Sequence, residues 1–212
     1  MSSSPSYNEL MTSRPFHHGN LRVVLLERAE VMLREGGVDG LSLRELAREA
    51  GVSHGAPRSH FPDRQALLDA LAERGFSRLT EDVRSALAGS GSLRHRLGRM
   101  AQAYVEFAVG DAALMELMFT TKTEGRTGPL QDAAVGLLEV LDDAMGPSAD
   151  AEASNRSRET FKLLFGATMQ GIAALIASRR ITRDQGNALV SEAMDVMLES
   201  QLGKQAVAQG SG

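Results

Sequence analysis

The chain has 212 residues, enough for one large domain or two small ones with a sizeable core. Its net charge of −4 argues against a protein that coats nucleic acid indiscriminately, and the lack of cysteine excludes a disulfide framework and a thiolate metal site. Alanine, leucine, glycine and arginine dominate while β-branched residues are few, which favours an all-α protein.

Residues 1–15 are polar and aperiodic and read as a mobile arm, as residues 203–212 read as a disordered tail. Phe16-His17-His18-Gly19-Asn20 leads into a first helix with Asn20 as its cap, and Leu21, Val24, Leu25, Arg28, Ala29 and Met32 follow at helical spacing until Gly36-Gly37. His17 and His18 suit a phosphate in front of that helix, or equally an exposed, partly ordered pair; with no third ligand nearby they do not suggest a metal.

The stretch Leu41–Phe61 organises the rest. Ser42 with Glu45 makes a capping box, Leu43, Leu46, Ala47 and Ala50 face inward, and Gly51 suits a left-handed helix end. Val52 plugs the turn, and Ser53 caps a second helix from about His54 to His60. This is helix-turn-helix grammar, a positioning helix followed by one free to enter the DNA major groove; a helical hairpin with no such role has the same pattern. Gly55 and Ala56 allow close approach to base edges, Ala56 suits a thymine methyl, and Arg58 suits guanine or phosphate. Ser42, Arg44 and His60 are better placed for the DNA backbone, and Ser53, His54 and Ser59 complete the candidate DNA-binding set. For each, a solvated or capping role is the alternative. Pro57 removes an amide donor, which suits a helix starting one residue later.

Asp63 caps a long helix predicted to about Ala88 on Leu67, Leu68, Leu71, Phe76, Leu79, Val83 and Leu87. Gly89-Ser90-Gly91 breaks it, and Ser92 caps a helix to about Val109. A short apolar helix covers Ala112–Phe119. Gly128-Pro129 opens the next, which runs to Met145, since proline fits a first helical position. A further helix is predicted over about Asp150–Arg180, and a last one from Thr182, with Gln185 completing a capping box, to near Leu202. The expected architecture is thus about nine helices: a three-helix head over residues 16–62 and a larger helical bundle over 63–202, joined by the helix after Asp63.

Met100, Tyr104, Phe107, Met115, Met118, Phe119, Leu138, Phe161, Phe165 and Met169 form a Met- and aromatic-rich set in the body. It suits an apolar effector pocket between helices, and equally an ordinary bundle core. Gly166, Ala167, Gly171, Ala174 and Ala177 give one helix a small-residue face. With Leu189, Val190, Ala193, Met194 and Met197 on the next, it builds either a seam between two subunits or an internal packing surface.

No nucleophile elbow, phosphate loop, zinc spacing or carboxylate pair is apparent, so neither an enzyme nor a cofactor or metal site is expected. No stretch approaches the run of about 18 apolar residues that spans a membrane, and the N-terminus lacks a signal-sequence layout; a cytoplasmic protein with no membrane partner is expected.

Residues 16–75 resemble the TetR-type (TetR/AcrR) transcriptional regulators. The matching pieces are His-His-Gly-Asn-Leu-Arg at the first helix, Leu-Ser-Leu-Arg-Glu-Leu-Ala-Arg-Glu-Ala-Gly-Val-Ser across the turn, and His-Phe-Pro-Asp-Arg-Gln-Ala-Leu-Leu at the junction. His-His-Gly with Val-Ser-His-Gly-Ala-Pro looks like the subset with a WHG C-terminal domain, although this chain has Gly166 and Gln170 ahead of Gly171 where that subset has Trp and His. The resemblance implies a homodimer on a palindromic double-stranded operator, usually a repressor, with an effector pocket in the body and dimerisation through the last two helices. Many members carry aromatic residues where this chain has Arg58 and Ser59. The expected function is a ligand-responsive transcription regulator with a small apolar or amphipathic effector; the alternative is a small-molecule-binding bundle with degenerate DNA recognition.

Overall fold

The computed structural model describes residues 21–121, 127–146 and 153–207. Regular structure within them is helical throughout: α1 (Leu21–Gly36), α2 (Leu43–Glu49), α3 (Arg64–Leu87), α4 (Leu93–Gly110), α5 (Ala112–Thr120), α6 (Pro129–Met145), α7 (Ala153–Ala177), α8 (Arg183–Glu199) and α9 (Gln201–Ala206). Single 3-10 turns cover Val38–Gly40 and Pro57–Ser59. The all-α expectation holds, with nine α-helices among the described residues. The arm at residues 1–15, His17, His18 and the Asn20 cap lie outside them, as do residues 208–212.

The head closes around Leu25, Ala29, Leu33, Leu41, Leu46, Phe61, Leu67 and Leu71, all fully buried or nearly so. Burying each leucine of this kind contributes roughly 1.5–3 kcal/mol. The starts of its helices are fixed by the caps the sequence advertises. Ser42 Oγ accepts from the Glu45 amide at 3.1 Å, and Asp63 Oδ1 accepts from the Ala66 amide at 2.8 Å. The Ser42 box is only half made, because the Glu45 carboxylate turns to Arg48 instead. Gly37 and Gly51 adopt φ of 64° and 65°, where a side chain would be strained. Arg64 donates to the carbonyls of Leu41 at 2.8 Å and Val38 at 2.6 Å, tying the loop before α2 to the first turn of α3.

α3 passes from head to body without a break. At about 1.5 Å per residue its 24 residues span roughly 36 Å. In the body α3 packs on α4, α5 and α6, and α7 packs on α4, α8 and α9. Gly75 permits the close approach of α3 to α5, since a Cβ there would lie 2.5 Å from Met118 Sδ.

Two expectations about the C-terminal third need correction. Residues 203–206 are helical, not part of a disordered tail. Ser200 Oγ accepts from the Gly203 amide at 3.0 Å, Gly203 and Ala206 are buried, and Arg158 Nε donates to the Ala206 carbonyl at 2.9 Å. α7 is also shorter than predicted, because Arg179 turns left-handed at φ 57° and ends it.

α7 departs from expectation in a third way. Asn155–Ala177 is long and apolar enough, at mean hydropathy 1.4, to cross a membrane by length and composition. The fold gives that helix another use. Arg158 and Lys162 are buried on it, and Arg158 donates to carbonyls at the ends of α6 and α9, including Met145 O at 3.3 Å. A guanidinium among helix-terminal carbonyls offsets their partial negative charge.

Candidate nucleic-acid interface and ligand cavity

The segment after Gly51 is not the helix predicted over His54–His60. Ala56 N donates to Ser53 O at 3.0 Å, a tight i→i−3 turn, and Pro57–Ser59 adds one 3-10 turn. An α-helix capped at Ser53 would need an amide at residue 57 to bond the Ser53 carbonyl, and Pro57 has none. Proline instead takes the first position of the short turn that follows, and Phe61 N returns to Pro57 O at 2.8 Å. Pro57 itself is buried and anchors the segment.

The outward face remains available. Ser42, Arg44, Ser53, His54, Gly55, Arg58 and Ser59 are exposed, while Ala56 and His60 are half-buried. Arg44 and Arg58 form no ion pair among the described residues, whereas Arg48 is committed to Glu45 and to Glu49 at 2.5 Å. Ser59 Oγ donates to Ala56 O at 2.7 Å, so its proton is used within the turn. Ser42 Oγ is occupied as an acceptor and keeps its proton to donate outward. Two free guanidinium groups beside small residues make a surface suited to phosphate and base edges.

The body holds a cavity of about 310 Å³, at the small end of the roughly 300–1,000 Å³ typical of ligand pockets. Met100, Tyr104, Phe119, Leu138 and Phe165, all expected from the sequence, line it together with Val83, Leu137, Leu141, Lys162, Leu163, Gly166, Ala167 and Gln170. Phe107, Met115, Met118, Phe161 and Met169 do not. They are buried in the packing between helices, and Phe107 sits under the Arg78 guanidinium at 5.5 Å. Tyr104 donates its hydroxyl to Gln170 Oε1 at 3.1 Å and meets the Phe165 ring edge-on at 6.3 Å. Burial pushes the Tyr104 phenol well above its ordinary value, so it stays neutral. Lys162 Nζ lies 2.8 Å from Asp142 Oδ2 and 2.6 Å from Glu159 Oε1. Burial works against its charge, but the bonds to Asp142 and Glu159 outweigh it and hold the ammonium above its usual range. The sequence reading, which sought apolar types, does not place Lys162 in a cavity and meets Gln170 only as a residue ahead of Gly171. The available signal was helical spacing, since Lys162, Gly166 and Gln170 recur every four residues on one face.

Residues 25–71 match the family model for bacterial regulatory proteins of the tetR family. A solved protein of unknown function from Rhodococcus sp. RHA1 is 39% identical, with a TM-score of 0.72 over 87% of this chain and 97% of that one. The uncharacterized HTH-type transcriptional regulator YobS of Bacillus subtilis is 26% identical over 172 residues, 79% of this chain and 84% of its own. The class A tetracycline repressor from transposon 1721 in Escherichia coli is 43% identical over 67 residues, 28% of this chain and 31% of that protein.

This chain belongs to the TetR family.

As a TetR-family protein it is a helix-turn-helix DNA-binding transcription regulator. Its head and body meet at a charged joint that no motif announced. Glu30 of α1 is buried between Arg74, at 2.8 Å, and Arg78, at 3.2 Å, both from α3. Asp111, between α4 and α5, accepts from Arg78 at 2.7 Å and Arg34 at 2.8 Å. Burial raises the Asp111 carboxyl, yet the bonds from the two arginines prevail and keep it below the usual carboxylate range. The DNA-binding head of this TetR-family chain is therefore tied to α3 and to the α4–α5 corner by paired charges rather than by a loose linker.

The residues expected at a subunit seam differ in exposure. Gly171, Ala174 and Leu189 are exposed, Ala193 is half-buried, and Gly166 opens onto the cavity. Met194 and Met197 are buried within the subunit and are not available to a partner, because α8 turns them toward its own core. The outer apolar face is supplied instead by Leu163, Leu164 and Val196, which are 74%, 45% and 63% exposed.

Proposed function

We propose that this protein is a homodimeric repressor that binds a palindromic operator through residues 42–60 and releases it when a small apolar or amphipathic effector enters the cavity. The observation that carries the reading is the continuity of α3. Its first turns hold the head through Arg64, Leu67 and Leu71, and Val83, near its other end, forms part of the cavity wall. Displacing Val83 tilts a rigid rod whose far end carries the recognition segment. Half-sites in successive major grooves lie roughly 34–36 Å apart, so a shift of a few ångströms between two heads weakens binding. Gly55, Ala56 and Arg58 are the base-facing candidates, with Ser42, Arg44 and His60 on the DNA backbone; Ser53 and His54 complete the set, and Ser59, whose proton is used within the turn, offers only its oxygen as an acceptor. Selection from a random DNA pool at physiological salt tests this. An enriched inverted repeat bound about a thousandfold tighter than bulk DNA supports it, and no enrichment refutes it.

The irregular recognition segment favours one other reading, a ligand-binding bundle whose DNA recognition has degenerated. Under that reading the pool yields no sequence although the cavity still binds small molecules.

A further inference from the structure

The cavity has few polar groups, and their arrangement restricts what it can hold. Its wall is mostly carbon, from Met100, Phe119, Leu138 and Phe165 among others. Two polar features interrupt it. At the Tyr104–Gln170 pair, the phenol proton is already given to Gln170 Oε1, at 3.1 Å. What remains for a ligand is the Gln170 amide as donor and the Tyr104 oxygen as acceptor. The second feature is Lys162, the one charged side chain among the described lining residues. Its ammonium faces two carboxylates, so this patch carries a local excess of negative charge.

We propose that the cavity selects an uncharged, mainly apolar ligand with one oxygen function, a hydroxyl, ether or carbonyl seated on Tyr104 and Gln170, and that it rejects carboxylates and phosphates. This rests on the cavity being the effector site. A carboxylate entering here would lose its hydration and gain no free cation, because Lys162 is already doubly neutralised. Burying an unpaired anion is among the most unfavourable steps available to a ligand. A neutral oxygen loses less hydration and regains a hydrogen bond from the Gln170 amide. An apolar tail occupies the remaining volume, and the phenol, held neutral by its burial, adds no charge of its own.

Decanol, decanoate and decylammonium share one alkyl chain and differ only in head group. Calorimetric titration of each into the full-length protein near neutral pH is expected to show decanol binding at least about tenfold more tightly than decanoate. Gln170→Leu and Tyr104→Phe, which preserve side-chain bulk, are each expected to weaken decanol by up to about tenfold, the range of one neutral hydrogen bond. Glu159→Gln leaves the Lys162–Asp142 pair in place and removes the excess negative charge, so the handicap of decanoate shrinks. Decanoate binding as tightly as decanol overturns this inference while leaving the cavity an effector site. Decanol binding that is indifferent to both Gln170→Leu and Tyr104→Phe overturns the proposed seat. If none of the three probes binds, the inference and the effector reading fail together.

Discussion

Arg58 tests the interface most directly, because it is exposed, free of an ion pair among the described residues, and placed on the turn that ends the recognition segment. Arg58→Ala is expected to weaken operator binding by about 1–3 kcal/mol if the guanidinium reads a base. A phosphate contact would instead lower affinity uniformly and reduce the salt dependence by about one counterion. Fluorescence anisotropy over a salt series separates the two. Unchanged affinity at every salt concentration removes Arg58 from the interface. Two buried glycines give a stability comparison of a similar kind. A Cβ at Gly75 meets Met118 Sδ at 2.5 Å and Leu114 Cγ at 3.1 Å, both side-chain atoms that can move. At Gly203 it meets backbone, including Leu198 Cα at 2.9 Å and the Met197 carbonyl, which no rotamer relieves. Overpacking costs about 1–3 kcal/mol, and alanine regains about 1 kcal/mol of helix propensity. Gly203→Ala should therefore lower the thermal midpoint more than Gly75→Ala, and hydrogen exchange should show the loss centred on α9. Equal shifts would mean that α9 re-seats freely.

At the scale of elements, helix starts are legible where a capping side chain precedes a long apolar period. Ser42, Asp63, Ser92 and Thr182 all cap as the spacing predicts, and Thr182 with Gln185 forms a complete box at 3.2 and 2.9 Å. Over the recognition segment the turn pattern predicts an α-helix, and the missing amide of Pro57 overrides it. α9 was missed because six residues are too few to show a helical period, and its seat on Arg158 is 48 residues away in sequence. The charged joint was invisible for a related reason: Arg34 and Asp111 are 77 residues apart, and no local rule brings them together. That joint has a pH signature. The Asp111 carboxyl is held below its ordinary value of 3.8, so its contribution is complete above that value and is lost as pH falls through the lower, folded-state one. Asp111→Asn should flatten the acid limb of the stability curve below about pH 4 while changing its shape little near neutrality. An unchanged acid limb would mean that Arg34 and Arg78 do not stabilise the charged form of Asp111. The same variant tests transmission. With both arginines deprived of that partner, effector binding should survive while its effect on operator affinity falls.

At the scale of the molecule, the proposed homodimer turns on the number of heads presented to DNA at once. On α7 the exposed Leu163, Leu164, Gly171 and Ala174 recur at helical spacing and form an apolar strip, to which α8 adds the exposed Leu189 and Val196. The shared exposure of Leu163 and Ala167 places the cavity mouth beside that strip, so a partner seated there also shields the cavity. Gly171 is the sharpest probe of such a partner. A Cβ at that position meets nothing within 4 Å in the subunit, and its backbone is helical, so a side chain there strains nothing internal and favours the helix slightly. Gly171→Glu should therefore fold with an unchanged or higher thermal midpoint, yet it places a carboxylate in the middle of the apolar strip. Sedimentation at micromolar concentration is expected to show dimer for the parent and monomer for the variant. Operator affinity should fall by about a hundredfold or more, because two tethered heads gain that much from effective concentration. A Gly171→Glu protein that remains dimeric puts the subunit interface elsewhere. A monomer that keeps full operator affinity removes the need for paired heads, and with it the half-site spacing through which α3 is proposed to act.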